Sequence, residues 1–73
     1  MYLSATKYKI VFRVNEHCNP IDYVFLAGDN IHASAIIMPF TKMYDIIYIL
    51  KYNSDVHKFE HVKDLEAKYA KSN

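Results

Sequence analysis

The sequence predicts an α+β fold: a three-stranded antiparallel sheet with a short middle helix and an amphipathic C-terminal helix. Two early segments are apolar at every second position, as strands are. A Gly-Asp-Asn sequence then precedes a short apolar segment, and apolar residues near the C-terminus recur at spacings of three and four. A chain of 73 residues has room for one domain, so we predict a single unit over residues 1–73.

The first two strands are predicted over residues 7–14 and 21–27. Tyr8, Ile10 and Phe12 occupy alternate positions of the first segment, which is typical of a half-buried strand. The second segment alternates in the same way between two apolar faces. The six residues between the segments are rich in turn formers and end in a proline. This connection favours an antiparallel hairpin.

The middle helix is predicted over residues 31–38. Asp29 or Asn30 would provide its N-cap, and Pro39 would end it. The apolar stripe of this helix is predicted to contain Ile31, Ala35 and Met38, with Ala33 and Ile37 adjacent to it. Two adjacent β-branched isoleucines weaken the helical pattern, and a strand that begins near Ala35 is the alternative.

The third strand is predicted over residues 44–52, beside the first strand, in the spatial order 2-1-3. One face of this strand is predicted to carry Tyr44, Ile46, Tyr48, Leu50 and Tyr52. Ile47 and Ile49 make the opposite face apolar as well. Strands that are apolar on both faces are usually central or covered on both sides.

The C-terminal helix is predicted over residues 56–69. Its apolar positions, at helical spacing within a segment rich in Lys and Glu, are Val56, Phe59, Val62, Leu65 and Tyr69. The alternative is a fourth strand at about 57–62, paired through an Asn-Ser-Asp turn at 53–55. In that case only a short terminal helix would remain.

Charge and cysteine content restrict the function classes. Nine basic and eight acidic residues nearly balance, which argues against an acidic mimic of DNA and against a strongly basic nucleic-acid binder. Cys18 is the single cysteine, and the first residues lack the pattern of a signal peptide. No apolar stretch approaches the ~20 residues of a membrane span. We therefore predict a soluble protein of the reducing cytoplasm that does not bind membranes.

Motifs that could carry catalysis are weak, and we predict no enzymatic activity, cofactor or metal. Residues 57–61 read H-x-x-E-H, which on a helix would place His57 and His61 on one face for zinc, with Glu60 as a base. A chain of this length has no further elements to enclose such a centre. His17 and Cys18 are adjacent, and neighbouring side chains usually point apart.

The predicted function is protein binding. If both helices cover the same side of the sheet, the other side remains an exposed apolar patch. The residues predicted to bind a partner there are Val11, Val24, Leu26, Tyr44, Tyr48 and Tyr52. The partner is a host protein or a second copy, giving a homo-oligomer or a hetero-complex. Amino acids of A/T-rich codons are abundant, so we interpret the chain as a phage- or plasmid-encoded inhibitor or modulator of a host protein, for example of anti-defence type.

Two alternatives remain open. The first is a small nucleic-acid-binding protein in which Tyr44, Tyr48 and Tyr52 stack on bases beside Lys9 and Arg13. Glycine-containing signatures of RNA-binding sheets are absent from these strands, so nucleic acid is the less favoured partner. The second alternative is a metal-binding protein that uses the two histidines of the H-x-x-E-H pattern.

Overall fold

The computed structural model describes residues 5–70, which form one antiparallel sheet and two helices. The elements are β1 (Thr6–Arg13), β2 (Ile21–Ala27), α1 (Asn30–Met43), β3 (Asp45–Asn53), β4 (Lys58–His61) and α2 (Lys63–Tyr69). The sheet has four strands in the order β2-β1-β3-β4. The α+β class and the predicted 2-1-3 order are confirmed. The predicted number of three strands is corrected to four.

Strand β1 forms the centre of the core. Tyr8, Ile10 and Phe12 alternate along it and are buried, as predicted. Phe25 of β2 lies opposite Tyr8, and Ile49 of β3 lies opposite Ile10. Both partners are buried as well. Because opposite residues of antiparallel strands share a face, all these side chains point to the helix side of the sheet.

The segment after β3 is a strand, which corrects the long C-terminal helix and confirms the alternative of a fourth strand. The Asn53 side chain starts the intervening turn and accepts the N–H of Asp55 at 3.0 Å. His57 has a φ of 55°, in the left-handed region that a right-handed helix excludes. Phe59 then lies opposite Tyr52, so that cross-strand pairing replaces helical spacing. Only α2 remains of the predicted helix.

Helix α1 is longer than predicted, because it continues through Pro39. Proline cannot donate a hydrogen bond to the preceding turn, and this property usually ends or bends a helix. The next residue, Phe40, lies 5.7 Å from the ring centroid of Phe12 and 5.3 Å from that of Tyr23. This packing holds the last turn on the sheet. Neither α1 nor any other helix in the described chain is long and apolar enough to cross a membrane.

The buried side of α1 differs from the predicted stripe. Its N-cap is Asp29, one of the two predicted residues. The buried residues are Ala33 and Ile37, whereas Ile31 is 81% exposed and Met38 is also exposed. The two residues predicted to lie beside the stripe are thus the buried ones, and the predicted stripe lies on nearly the opposite side of the helix, because either set satisfies helical spacing.

Both helices pack on the same side of the sheet. Leu65 of α2 joins Ala33 and Ile37 of α1 in the core. The hydroxyl groups of Ser34 and Tyr69 form a hydrogen bond between the two helices. Since α1 and α2 share one face, neither of them covers the other face of the sheet.

A β-bulge in β3 determines which of its side chains face the helices. Val11 lies opposite Tyr48, but the next residue, Phe12, lies opposite Ile46, so Ile47 is the extra residue. Ile46 is buried, whereas Tyr48 is exposed on the other side of the sheet. The prediction that five alternate residues of this strand share one face is therefore wrong. The alternation inverts at the bulge.

Candidate functional site

The candidate site is the sheet surface turned away from both helices, the open face. Opposite residues of antiparallel strands point to the same side, so the strand register defines its members. They alternate with the buried core residues along each strand. The open face comprises Lys7, Lys9, Val11, Asp22, Val24, Leu26, Tyr48, Leu50, Tyr52, Phe59 and His61.

Apolar side chains make up most of the open face. Leu26 is 59% exposed, Tyr48 49% and Val24 48%. Val11 and Leu50 lie nearer the centre and are partly buried by their neighbours. Because the helices cover only the opposite side of the sheet, these side chains have no helix against which to pack. The result is a surface with apolar side chains on all four strands, in which β1 contributes Val11 beside two lysines.

Two lysines of β1 lie among these apolar side chains. The Lys9 ammonium is 4.5 Å from the ring centroid of Phe59, and the Lys7 ammonium is 5.6 Å from that of Tyr52. Both distances lie within the range of cation–π attraction. Asp22 is the one acidic residue of the open face and lies at its margin, opposite Val11. The face therefore combines an apolar surface with two positively charged side chains that extend across it from β1.

Aromatic side chains of β3 and β4 form two edge-to-face pairs on the open face. The rings of Tyr48 and His61 have centroids 5.2 Å apart, and those of Tyr52 and Phe59 are 5.3 Å apart. The interplanar angles are 76° and 71°. Such pairs contribute about 0.5–1.5 kcal/mol beyond the burial of area. They hold the rings in defined orientations on the surface.

Glu66 of α2 accepts a hydrogen bond from the backbone of β3 at the point where β4 ends. Its Oε2 accepts the Ile49 N–H at 3.0 Å and lies 2.7 Å from Nδ1 of His61. The carbonyl of Ile49 accepts the N–H of Val62 at 2.9 Å. Both backbone groups of Ile49 therefore point away from β1, toward the side of β4.

The structure brings together five of the six residues predicted to bind a partner. These five residues of the open face are Val11, Val24, Leu26, Tyr48 and Tyr52. Tyr44 is not one of them, because it ends α1 and packs on the helix side, 4.9 Å from the Phe12 ring centroid. The bulge in β3 separates Tyr44 from Tyr48 and places them on opposite sides of the sheet.

Sequence reasoning missed two aromatic members of the open face, Phe59 and His61. Both lie in the segment whose apolar spacing predicts a helix. The signal that could have found them is the turn-rich Asn-Ser-Asp sequence after the third strand, followed by Phe59 between the charged residues Lys58 and Glu60. Lys7 and Leu50 were also missing from the predicted set, because their central position follows from the pairing of β1 with β3.

The proposed histidine chelate requires a helix that is not formed. His57 lies in the turn before β4, and His61 is the last residue of that strand. Four strand residues span about 13 Å, in place of the single turn that separates a helical i, i+4 pair. The helical metal site is therefore wrong. Within residues 5–70, no group of three His, Cys, Asp or Glu side chains is arranged to hold a metal ion.

Other features of the surface are less organised. A groove of about 550 Å³ lies beside the β3–β4 hairpin, and Lys51, Glu60 and Asp64 are among its lining residues. Its charges are of both signs, and Glu60 already accepts a hydrogen bond from the neighbouring Asn53. Cys18 is exposed in the loop between β1 and β2.

Comparisons with protein-family models, curated proteins and solved structures find no match. The functional interpretation therefore rests on the physical properties of the chain itself. Among the described residues, the open face brings exposed apolar side chains from four strands together with aromatic rings and cations.

Proposed function

We propose that the protein is a non-enzymatic protein-binding module and that the open face is its binding surface. The observation that carries this proposal is the packing of α1 and α2 on one side, which leaves an apolar four-stranded face uncovered. Monomeric proteins rarely expose contiguous apolar patches larger than about 300–600 Å² without a use for them. Burial of apolar area against a partner contributes roughly 25 cal/mol per Å², so a patch of this kind favours association.

The charge of the open face indicates the chemistry of its partner. Lys7 and Lys9 lie in β1, one of the two inner strands, and a partner that covers them removes their ammonium groups from water. Buried ammonium groups require carboxylates or other acceptors to offset their desolvation. The partner that fits is therefore a protein with an apolar surface and one or two Asp or Glu side chains near its centre.

A second copy of the chain fits the open face poorly. In a two-fold symmetric contact the same surface meets itself, so two faces that each carry Lys7 and Lys9 against the single carboxylate of Asp22 would oppose each other. Like charges brought together in this way cost several kcal/mol. The open face thus favours a different protein. A host protein inhibited or modulated by a phage- or plasmid-encoded chain is consistent with the A/T-rich composition.

Matched substitutions on the two sides of the molecule test this proposal. Tyr48→Glu changes an exposed residue of the open face, and Ile31→Glu changes an exposed residue of α1. Each variant and the wild type would be used for affinity capture from native host extract, with quantitative mass spectrometry. We expect a protein that wild type and Ile31→Glu retain equally and that Tyr48→Glu loses at least about tenfold. Equal capture by all three folded proteins would contradict the proposal.

Single-stranded nucleic acid is a second candidate ligand, favoured by the position of the lysines against Tyr52 and Phe59. Rings beside cations are the features with which sheets bind unpaired bases. The test is fluorescence anisotropy of a labelled single-stranded oligonucleotide over a salt series. Two phosphate contacts predict a logarithmic salt slope of about −1.4, and Tyr48→Ala should abolish binding. Absence of saturable binding at low salt would leave protein as the ligand.

A further inference from the structure

The backbone of β2 has a free edge whose hydrogen-bonding groups can be identified. Ile49 of β3 directs its N–H and C=O away from β1. Antiparallel ladders alternate between bonded and non-bonded pairs, so the next pair, Lys9 and Leu50, is bonded between β1 and β3. Successive residues of a strand bond to opposite sides. The groups of Tyr8 and Ile10 therefore point to β2.

The same alternation continues into β2. Tyr23 and Phe25 lie opposite those two residues of β1 and so complete the ladder with it. The intervening residues, Asp22, Val24 and Leu26, present their N–H and C=O groups to the outer edge. No hydrogen bond from the described residues outside β1 reaches these groups. Within residues 5–70 they form a row of three donor and acceptor pairs without a partner.

This edge lacks the features with which proteins block strand addition. Protected edges are short, carry lysine or proline, or twist away at a bulge. The opposite edge follows that rule, because β4 has four residues and includes Lys58 and Glu60. In contrast, β2 has seven residues and pairs with β1 without a register shift. Its only charged residue is Asp22.

We infer that β2 pairs antiparallel with β2 of a second copy and joins two sheets into one of eight strands. The register that pairs all seven residues places Val24 on the two-fold axis, opposite Val24 of the second copy. Asp22 of each copy then lies opposite Leu26 of the other. These are the residues whose backbone groups face outward, so each aligned pair exchanges both hydrogen bonds.

The charges of the open face complement this arrangement. Lys7 lies opposite Leu26 within one copy, so Asp22 of the second copy falls into the same row as Lys7. Two strand spacings separate them, about 10 Å between Cα atoms, a distance that a lysine and an aspartate side chain can bridge. A register in which the two Asp22 residues meet would bring like charges together and is disfavoured.

The edge contact and the proposed open-face function are separate surfaces. Strand pairing uses the side of β2, so both open faces stay exposed and become one continuous face of doubled width. A dimer could form without any protein ligand, and a monomer could still bind one. The outcomes of the two experiments are therefore distinguishable.

Charge substitutions at the two-fold axis test the dimer by light scattering over a concentration series. Val24→Glu places two carboxylates opposite each other, while Lys9, its cross-strand neighbour, supports the fold of each copy. We expect wild type to dimerise and Val24→Glu and Val24→Lys each to weaken dimerisation at least about tenfold. An equimolar mixture of the two variants should restore the dimer. A wild-type protein that stays monomeric up to about 1 mM would overturn the inference.

Amide hydrogen exchange provides a test without substitutions. In the dimer, the amides of Asp22, Val24 and Leu26 should be protected, and dilution to the monomer should remove that protection at least about tenfold. The amides of Tyr23 and Phe25 bond to β1 and should stay protected throughout. A concentrated dimer in which the three outward amides exchange as in the monomer would refute edge pairing, even if another surface held the copies together.

Discussion

The Lys9 ammonium lies 4.5 Å from the centroid of the Phe59 ring, although β3 separates the strands that carry the two residues. The Lys9 side chain therefore extends across the open face instead of pointing into solvent. Long lysine side chains cover apolar surface with their methylene groups and keep the ammonium at the margin in contact with water. This contact explains how the isolated chain tolerates an uncovered sheet face: the lysines shield part of it with charge.

Removal of the lysine charges should make the protein self-associate through the open face. The double substitution Lys7→Met and Lys9→Met keeps unbranched side chains of similar length but deletes both charges. We expect self-association at concentrations where wild type does not aggregate, because charges on sheets protect against non-native contacts. Light scattering and binding of a dye for apolar surface would measure it. The control double variant Lys42→Met and Lys63→Met, on the helices, should behave as wild type, and equal aggregation of both pairs would contradict this explanation.

Glu66 should matter more for stability than a typical surface carboxylate. Glu66→Ala leaves the N–H of Ile49 without its partner, and a donor left unsatisfied costs about 1–3 kcal/mol. Glu60→Ala is the control, since that exposed side chain accepts only from Asn53 and its loss should cost less than about 1 kcal/mol. Urea unfolding gives both values. Equal losses would show that satisfaction of the Ile49 N–H is not the cause.

Pro39 should lower the stability of α1. Its ring removes a backbone donor in the helix interior, and its side chain is exposed, so it gains no core packing in return. We expect Pro39→Ala to raise the free energy of unfolding by about 1–3 kcal/mol. Pro20→Ala, in the loop before β2, should not raise it, because loop prolines restrict the unfolded chain. Thermal or urea unfolding of the two variants decides between these outcomes.

Tyr8 should make the fold sensitive to alkaline pH. Burial, and in second place the charge of Asp29, raises the pKa of Tyr8 above its ordinary value of 10.0. The unfolded chain loses this proton first, so the stability that Tyr8 contributes is complete below pH 10.0 and declines above it, up to the folded-state pKa. Tyr8→Phe removes the hydrogen bond to Asn30 and should lower the free energy of unfolding by about 1 kcal/mol at neutral pH. Above pH 10.0 the free energy of unfolding of this variant should fall less steeply with pH than that of wild type. Parallel pH curves for the two proteins would contradict this assignment.

Local patterns predicted the elements whose signals are unambiguous. Strand β2 has its predicted bounds, and β1 differs from prediction by one residue at each end. Asp29 caps α1 as expected, since a carboxylate before an apolar segment can accept the first free N–H groups of a helix. Short connections explain the β1–β2 and β3–β4 pairings, whereas β3 reaches its place beside β1 through the longer crossover that contains α1.

The errors arose where tertiary contacts override local patterns. Pro39 normally ends a helix, but the ring packing of Phe40 extends α1 by another turn. The segment around Phe59 satisfies both strand and helix spacing, and its pairing with Tyr52 selects the strand. The bulge at Ile47 leaves no sequence signature, because apolar residues occupy both sides of β3 there. It is the reason that Tyr44 was assigned to the wrong face.

Site-specific photo-crosslinking at position 48 tests the central claim most directly. A photoreactive phenylalanine analogue would replace Tyr48 on the open face and, in a matched control, Ile31 on α1. Both chains would be illuminated in native host cells, and the adducts identified by mass spectrometry. The open-face account predicts a covalent adduct to one protein from position 48 and none to that protein from position 31. Absence of any adduct from position 48, or the same adduct from both positions, would contradict it.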